Sequence, residues 1–363
     1  MTTILEAQER TLDDVKKILH PLVSEWFFSK FKDLSLTQKY GVLNIWERKD
    51  ILISAPTGGT KTLTAFLSVL NYLIIQAEKG NLDDKIYALY TSPLKALSND
   101  IHKNLIEPLE EIEELAKKKN IKLQKIRVAL RTGDTTQSER AKMARKSPHI
   151  LITTPESLAI ILTTEKFIDN LKELEFCIVD EIHALDNKRG TYLSLTLERL
   201  NEVSKIYPVK IGLSATIEPL EEVARYLVGI DKERSVYIAK VPMIKNIDVK
   251  VLTPVEDLIN DSNLNLGMYS LIDNLIKEHK TTLVFTNTRS ATERVVNHLK
   301  EKFPTEYGDD NIAAHHSSLS KSSRFDIEEN LRQGKLKVVV CSTSLELGID
   351  IGYIDLVIML GSP

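Results

Sequence analysis

From about residue 50 onward, short apolar runs alternate with longer stretches of helical periodicity. The runs DILIS (50–54), KIYALYTS (85–92), KIRVALR (125–131), HILIT (149–153), LEFCIVD (174–180) and VKIGLSA (209–215) have the length and β-branched content of buried strands. Each is followed by a helical pattern, the rhythm of a parallel sheet covered on both faces. One doubly wound domain is expected over residues 1–238. A second series has strands at DVKVL (248–252), TTLVFT (281–286), NIAAHH (311–316), LKVVVCS (336–342) and IDLVIML (354–360), with helices around 268–279, 289–302 and 320–332. Between the two blocks, AKVPMIKN (239–246) carries a proline and reads as a linker, which leaves 247–363 as the second domain. The fold class predicted is α/β, two tandem domains with parallel sheets, the second incomplete because the chain stops at GSP directly after a strand.

Composition narrows this reading. A chain of 363 residues suits two cores, and 42% hydrophobic with 27% charged residues is the balance of a globular protein. No apolar run approaches the roughly 18 residues of a membrane span, and the opening MTTILEAQERTLDD lacks the basic stretch and apolar core of a signal peptide. Neither a membrane nor export is expected. Cys177 and Cys341 both lie in apolar strand-like runs, so a disulfide framework is excluded and a cytoplasmic location is the expectation. A net charge of −3 argues against binding nucleic acid through a broad basic field, so any such contact has to be local. The block EPLEEIEELAKKKN (107–120), acidic first and basic last, reads as a surface helix matched to its macrodipole.

Two stretches carry chemistry. The strand DILIS runs into Ala55-Pro56-Thr57-Gly58-Gly59-Thr60-Lys61-Thr62 and then a helix. Strand, glycine-containing turn and helix amino terminus make an anion site, with Lys61 placed for the β/γ phosphates and the Thr62 hydroxyl for Mg²⁺. The pattern departs from a strict phosphate loop at Thr60, where glycine is expected before the lysine; a β-branched residue resists unusual φ and adds bulk beside the phosphates. The second stretch is Asp180-Glu181-Ile182-His183, delivered at the carboxyl end of a buried strand, where α/β sheets place their ligands. Asp180 is placed to hold Mg²⁺, Glu181 to orient and deprotonate the attacking water, and His183 to sense the γ-phosphate. His315 and His316 with Cys341 fit no zinc spacing.

The ordered set of blocks resembles the superfamily 2 helicases, and within them the Lhr (large helicase-related) group beside the Ski2-like helicases. VSEWFFSKFKDLSLTQ is similar to the adenine-recognition segment, with Gln38 at its glutamine; TSPLKALSNDIHKNL (91–105) to motif Ia; RTGDTT (131–136) to the segment after it; TTPESL (153–158) to motif Ib. DEIHAL with KRG (188–190) resembles motif II and its extension, Ser214-Ala215-Thr216 motif III, LVFTNTRS (283–290) motif IV and STSLELGIDIG (342–352) motif V. The resemblance covers about residues 22–363 and implies two RecA-like domains, ATP with Mg²⁺ between them, and 3′ to 5′ movement on single-stranded or partly duplex DNA or RNA. ATP contacts would then fall on Gln38, Thr57, Gly58, Gly59, Thr60, Lys61, Thr62 and Asp350. Nucleic-acid contacts would fall on Ser92, Pro93, Arg131, Thr132, Thr154 and Pro155, and on Thr286, Thr288, Arg289, Thr343 and Ser344 in the second domain. Such loops grip phosphates without reading bases. Motif VI, which supplies the arginine finger in that family, is not reached by Pro363; with Thr60, this predicts impaired hydrolysis and leaves a weakly catalytic nucleic-acid-binding or regulatory protein as the alternative.

Overall fold

In the computed structural model the chain divides into two units, Met1–Ile244 and Lys245–Pro363. The structure describes residues 2–56, 60–92, 100–184, 188–215, 217–229, 234–242, 248–255, 264–342 and 354–361.

The first unit is built on eight parallel strands: β1 (Thr3–Glu6), β2 (Asp50–Ser54), β3 (Ala88–Thr91), β4 (Val128–Arg131), β5 (Ile150–Thr153), β6 (Phe176–Val179), β7 (Val209–Ser214) and β8 (Ser235–Lys240), in the order β1-β8-β2-β7-β6-β3-β5-β4. Successive side chains go to opposite faces, and both faces are apolar. Ile51, Ile53, Tyr90, Ile152, Phe176 and Ile178 pack with Phe66 and Leu70 of the helix Lys61–Lys79. Leu52, Leu89, Leu151, Cys177 and Val179 pack with Leu193 and Leu197 of the helix Lys188–Val203. This two-sided burial is why the strands read as continuous hydrophobic runs. Because β7 lies between β2 and β6, the loops after β2, β7 and β6 come out side by side at the carboxyl edge.

The second unit has four parallel strands, β9 (Thr282–Thr286), β10 (Ile312–His315), β11 (Val338–Cys341) and β12 (Leu356–Leu360), in the order β10-β11-β9-β12. Its helices Leu264–Glu278, Arg289–Lys302 and Lys321–Arg332 fall where the periodicity predicts them.

The structure corrects the sequence reading at three places. β1 and β8 pair in parallel, Thr3 opposite Ser235, so the first unit gains two strands, and β8 takes up residues 239 and 240 that the linker reading had claimed. Residues 248–252 form no strand: Val249 and Val251 alternate with charged neighbours but are 81% and 95% exposed, and this segment pairs with no strand among the described residues. The surface helix is Glu107–Lys118, entered through a π-helical stretch His102–Ile106, and it buries Leu109 and Ile112. Phe27, Phe28 and Phe31 cluster with one another on the core.

Candidate nucleotide and nucleic-acid sites

The chain leaves β2 with Ala55 N–H donating to Ser214 O at 3.1 Å, which anchors the start of the phosphate loop to β7. Thr57, Gly58 and Gly59 lie outside the described residues. Thr60 stands at the N-cap of the helix Lys61–Lys79 with φ 57° and ψ 21°, in the left-handed region. The backbone therefore adopts here the conformation for which glycine is expected, at a cost to a residue with a Cβ of about 1–2 kcal/mol. The bulk of Thr60 has a defined place, its hydroxyl meeting Ser35 Oγ at 2.6 Å.

Lys61 is buried, and its ammonium donates to Ala55 O (2.9 Å) and Pro56 O (3.0 Å). Burial holds its pKa below the ordinary lysine value, against the opposing charges of Glu181, Asp180 and Asp100. Thr62 Oγ1 lies 3.4 Å from Asp180 Oδ2.

Asp180 follows β6 and is fixed on every side. Its N–H donates to Thr91 O (2.8 Å), the Tyr90 hydroxyl donates to its Oδ2, and the Glu181 N–H donates to its Oδ1 (2.7 Å). Tyr90 is itself buried, its ring stacked on Phe66 at 5.2 Å. Burial, then the neighbouring Glu181 charge, pushes the Asp180 carboxyl up to about 7. Glu181 sits at φ 51°, a second left-handed position without glycine; burial raises its pKa, and Lys61 opposes the rise. Backbone strain of this kind persists where surrounding contacts over-determine it, and it concentrates at functional sites.

His183 bridges. Its Nδ1 accepts the Ala215 N–H (3.1 Å), which leaves the ring proton on Nε2, 3.1 Å from Glu181 Oε2. Burial, then the Lys61 charge, lowers its pKa. Lys61, Thr62, Asp180, Glu181, His183 and Ala215 thus share one edge of the sheet. Thr62 and Asp180 offer two oxygen donors within reach of each other, a set that fits Mg²⁺, a hard cation that takes most of its ligands from phosphate and water.

Gln38 is buried in the first turn of the helix Leu36–Trp46 and forms a capping box with Ser35: Ser35 N–H donates to Gln38 Oε1 (2.8 Å), and Gln38 N–H to Ser35 Oγ (3.3 Å). Asp350 lies outside the described residues.

The strand ends β3, β5 and β4 are neighbours, Thr91 and Arg131 both pairing with Thr153, and they gather Ser92, Arg131, Thr132 and Thr154. Thr154 caps the helix Pro155–Ile161, with Pro155 at its first position, and Thr132 N–H donates to Thr135 Oγ1 (2.8 Å). Arg131 departs from an outward-facing contact: its guanidinium is buried 4.1 Å from the Phe167 ring centre, with one η nitrogen lacking a partner among the described residues. Burial lowers its pKa. In the second unit Thr288 caps the helix Arg289–Lys302, and Arg289 Nη1 donates to Ser318 Oγ (2.5 Å). Thr286 also turns inward, its buried hydroxyl 2.8 Å from Thr292 Oγ1. Pro93, Thr343 and Ser344 lie outside the described residues. His315 and His316 pair with Glu328 (3.1 Å) and Glu293 (2.7 Å), and no cluster of three or more metal-ligating side chains occurs among the described residues.

Sequence reasoning missed Tyr90 and Ser35. Both are ordinary residues in their segments, and only strand register and helix packing place them against Asp180 and Thr60.

Comparison with known proteins agrees with this arrangement. Residues 35–223 match the family model for DEAD/DEAH box helicases, and residues 267–363 that for the helicase conserved C-terminal domain. The chain is 51% identical to an ATP-dependent helicase Lhr-Core of Methanothermobacter thermautotrophicus, over 99% of this chain and 42% of that protein. It is equally 51% identical to the Lhr-Core helicase of Methanocaldococcus jannaschii, over 98% of this chain and 42% of that protein. The chain thus spans less than half the length of these relatives. Among solved structures, the Mycobacterium smegmatis helicase Lhr bound to ssDNA and AMP-PNP superposes with a TM-score of 0.78 at 37% identity, covering 95% of this chain and 44% of that one. No described helix is long and apolar enough to cross a membrane.

Proposed function

The chain belongs to the DEAD/DEAH box helicase family, on its Lhr branch, and from that premise we propose that it is an ATP-driven motor core that moves 3′ to 5′ along single-stranded DNA or RNA. The observation that carries the reading is the cluster at the carboxyl edge: Lys61, Asp180, Glu181 and His183, tied to the loop after β7 through Ala215. That the Mycobacterium smegmatis structure holds ssDNA and AMP-PNP supports the same ligand classes here.

In this reading the Lys61 ammonium exchanges its two loop carbonyls for phosphate oxygens. Mg²⁺, held by Thr62 and Asp180, would supply neutralisation of phosphate charge. Glu181 orients the attacking water and takes its proton, and its raised pKa brings it closer to the pH at which a general base works well. His183 donates to Glu181 from Nε2 and reports its state to Ala215 through Nδ1. Gln38 reads the base, Asp350 faces the nucleotide, and Thr57, Gly58 and Gly59 complete the cradle. Ser92, Pro93, Thr132, Thr154 and Pro155 line the nucleic-acid track of the first unit, and Arg131, turned inward onto Phe167, supports it from behind. Thr288, Arg289, Thr343 and Ser344 line that of the second, and Thr286 holds the Thr288 turn in place, its hydroxyl donating to Thr288 O (3.2 Å).

A weakly catalytic binding protein is the second reading, favoured by the left-handed threonine at position 60. Steady-state ATPase with and without single-stranded oligonucleotide separates the two. The motor reading expects stimulation, with turnover falling by about 10²–10⁴ in Glu181→Gln while nucleotide binding persists. Unchanged turnover in that variant overturns it.

A further inference from the structure

The threonine that breaks the phosphate-loop pattern sits in a contact of its own. Thr60 occupies an N-cap position, yet its side chain makes no capping hydrogen bond to its helix. Its hydroxyl instead meets Ser35 Oγ at 2.6 Å. Ser35 in turn caps the helix Leu36–Trp46 and closes the box with Gln38.

This contact is one of a series. Hydroxyl-bearing residues recur every fourth position here, Thr60 at the N-cap and Thr64 and Ser68 on the helix Lys61–Lys79, where the latter two share one face. Ser68 Oγ donates to Val42 O (3.0 Å). At Gly41 an added Cβ would come within 2.4 Å of Thr64 Cγ2 and 2.8 Å of Ile53 Cδ1, so the helix Leu36–Trp46 lies directly on this face and on β2. Thr60 extends the contact to the mouth of the phosphate loop, one residue before Lys61.

We propose that Thr60 is a positioning residue for nucleotide, its hydroxyl pairing with Ser35 to join the phosphate loop and the Gln38 capping box into one rigid body. The inference rests on the reading of Lys61 and Gln38 as ATP contacts. Its physical content is pre-organisation: when the two ends of the site are held at a fixed separation, a nucleotide gains from both only if base and phosphates fit together. Without the tie, the phosphates can be bound out of register with the base. Adenine-nucleotide affinity and base selectivity should therefore fall together when the hydroxyl is lost, while a guanine nucleotide, held by its phosphates alone, changes little.

The test is calorimetric binding of AMP-PNP and of GMP-PNP to the 363-residue chain and its variants, each checked for folding by thermal melting. Thr60→Ser keeps the hydroxyl and should stay within about threefold of the parent for both nucleotides; Thr60→Val, or Thr60→Ala should the larger side chain prevent folding, should weaken AMP-PNP about tenfold, the scale of one hydrogen bond, and lower adenine-over-guanine selectivity by a similar factor. Ser35→Ala combined with Thr60→Val should be little worse than Ser35→Ala alone, since Ser35→Ala already removes the hydroxyl pair together with the Gln38 N–H cap. Equal loss for both nucleotides, or effects that multiply in the double variant, would overturn the inference while leaving the nucleotide site intact. A parent chain that binds neither nucleotide would instead overturn the functional reading and this inference with it.

Discussion

Charged side chains gather at both edges of the sheet around β2, β6 and β7, and the two edges use them differently. At the carboxyl edge, Glu181 contacts Asp180 and His183 and is held in a left-handed conformation, while the Lys61 ammonium is bound by backbone carbonyls within the field of both carboxylates. At the amino edge, Asp50 opens β2, and its carboxylate accepts Lys210 N–H (2.7 Å) and pairs with Arg234 (3.0 Å), whose guanidinium lies over Tyr207. Lys210, opposite Cys177 in the register, is fully buried, and its ammonium nitrogen has no hydrogen-bond partner among the described residues. Burial pushes the pKa of Asp50 up and that of Lys210 down. A buried charge is costly at either edge. At the carboxyl edge, in the proposed reading, phosphate would meet Lys61 and Mg²⁺ would meet the carboxylates. At the amino edge the ion pair closes on itself and its role is structural.

That contrast can be broken by substitution. The largest effect should come from Asp50→Ala, which takes the carboxylate from Arg234 and the acceptor from Lys210 N–H: a loss of about 3–5 kcal/mol in chemical unfolding, with nucleotide affinity per folded molecule unchanged. If affinity fell with stability, the two edges would not be independent. Next is acid sensitivity at the same edge. His149, buried just before β5, accepts Arg127 N–H at Nδ1, and burial followed by the Arg127 charge lowers its pKa to about 4. A base with a depressed folded pKa contributes stability that is present above its unfolded pKa of about 6.5 and is lost as pH falls toward the folded value. The chain should therefore lose up to about 3 kcal/mol between pH 6.5 and pH 4, and His149→Gln should flatten that slope. An unchanged pH profile in the variant would assign the acid lability elsewhere.

At the carboxyl edge, Tyr90→Phe withdraws the hydroxyl from buried Asp180 and should cost about 1–3 kcal/mol. It should also weaken Mg²⁺-dependent nucleotide binding, read by titrating affinity against Mg²⁺, because the carboxylate loses one of its fixed partners. A stability loss with no change in the Mg²⁺ titration would make Tyr90 a packing residue only. The smallest effect should be Lys210→Met, neutral to stabilising by about 1 kcal/mol in the same unfolding assay, since the ammonium makes no compensating hydrogen bond. Strong destabilisation would show that the lysine has a partner whose contact matters.

How much was legible follows from the range over which each feature is encoded. The strands β2 and β6 and the carboxylate pair at 180 and 181 are written in contiguous residues, so apolar runs and the polar residues that end them located them. The same holds for the helices Arg289–Lys302 and Lys321–Arg332, which periodicity marked and which the structure shows capped by Thr288 and Ser320. Residues 248–252 show the limit: alternation describes a side chain's options, and a strand exists only where another strand supplies hydrogen bonds.

The sequence by itself determined the class of fold, the two blocks of βα units, and the types and order of the groups proposed to meet phosphate. Tertiary structure alone decided which of those groups touch. It set Thr3 beside Ser235, Tyr90 on Asp180, Thr60 on Ser35 and Ala215 on His183, and it turned Arg131 and Thr286 inward. Periodicity fixes a side chain's face from its near neighbours, whereas a contact also needs the register of a second element folded from a distant stretch of chain, and no local pattern carries that register.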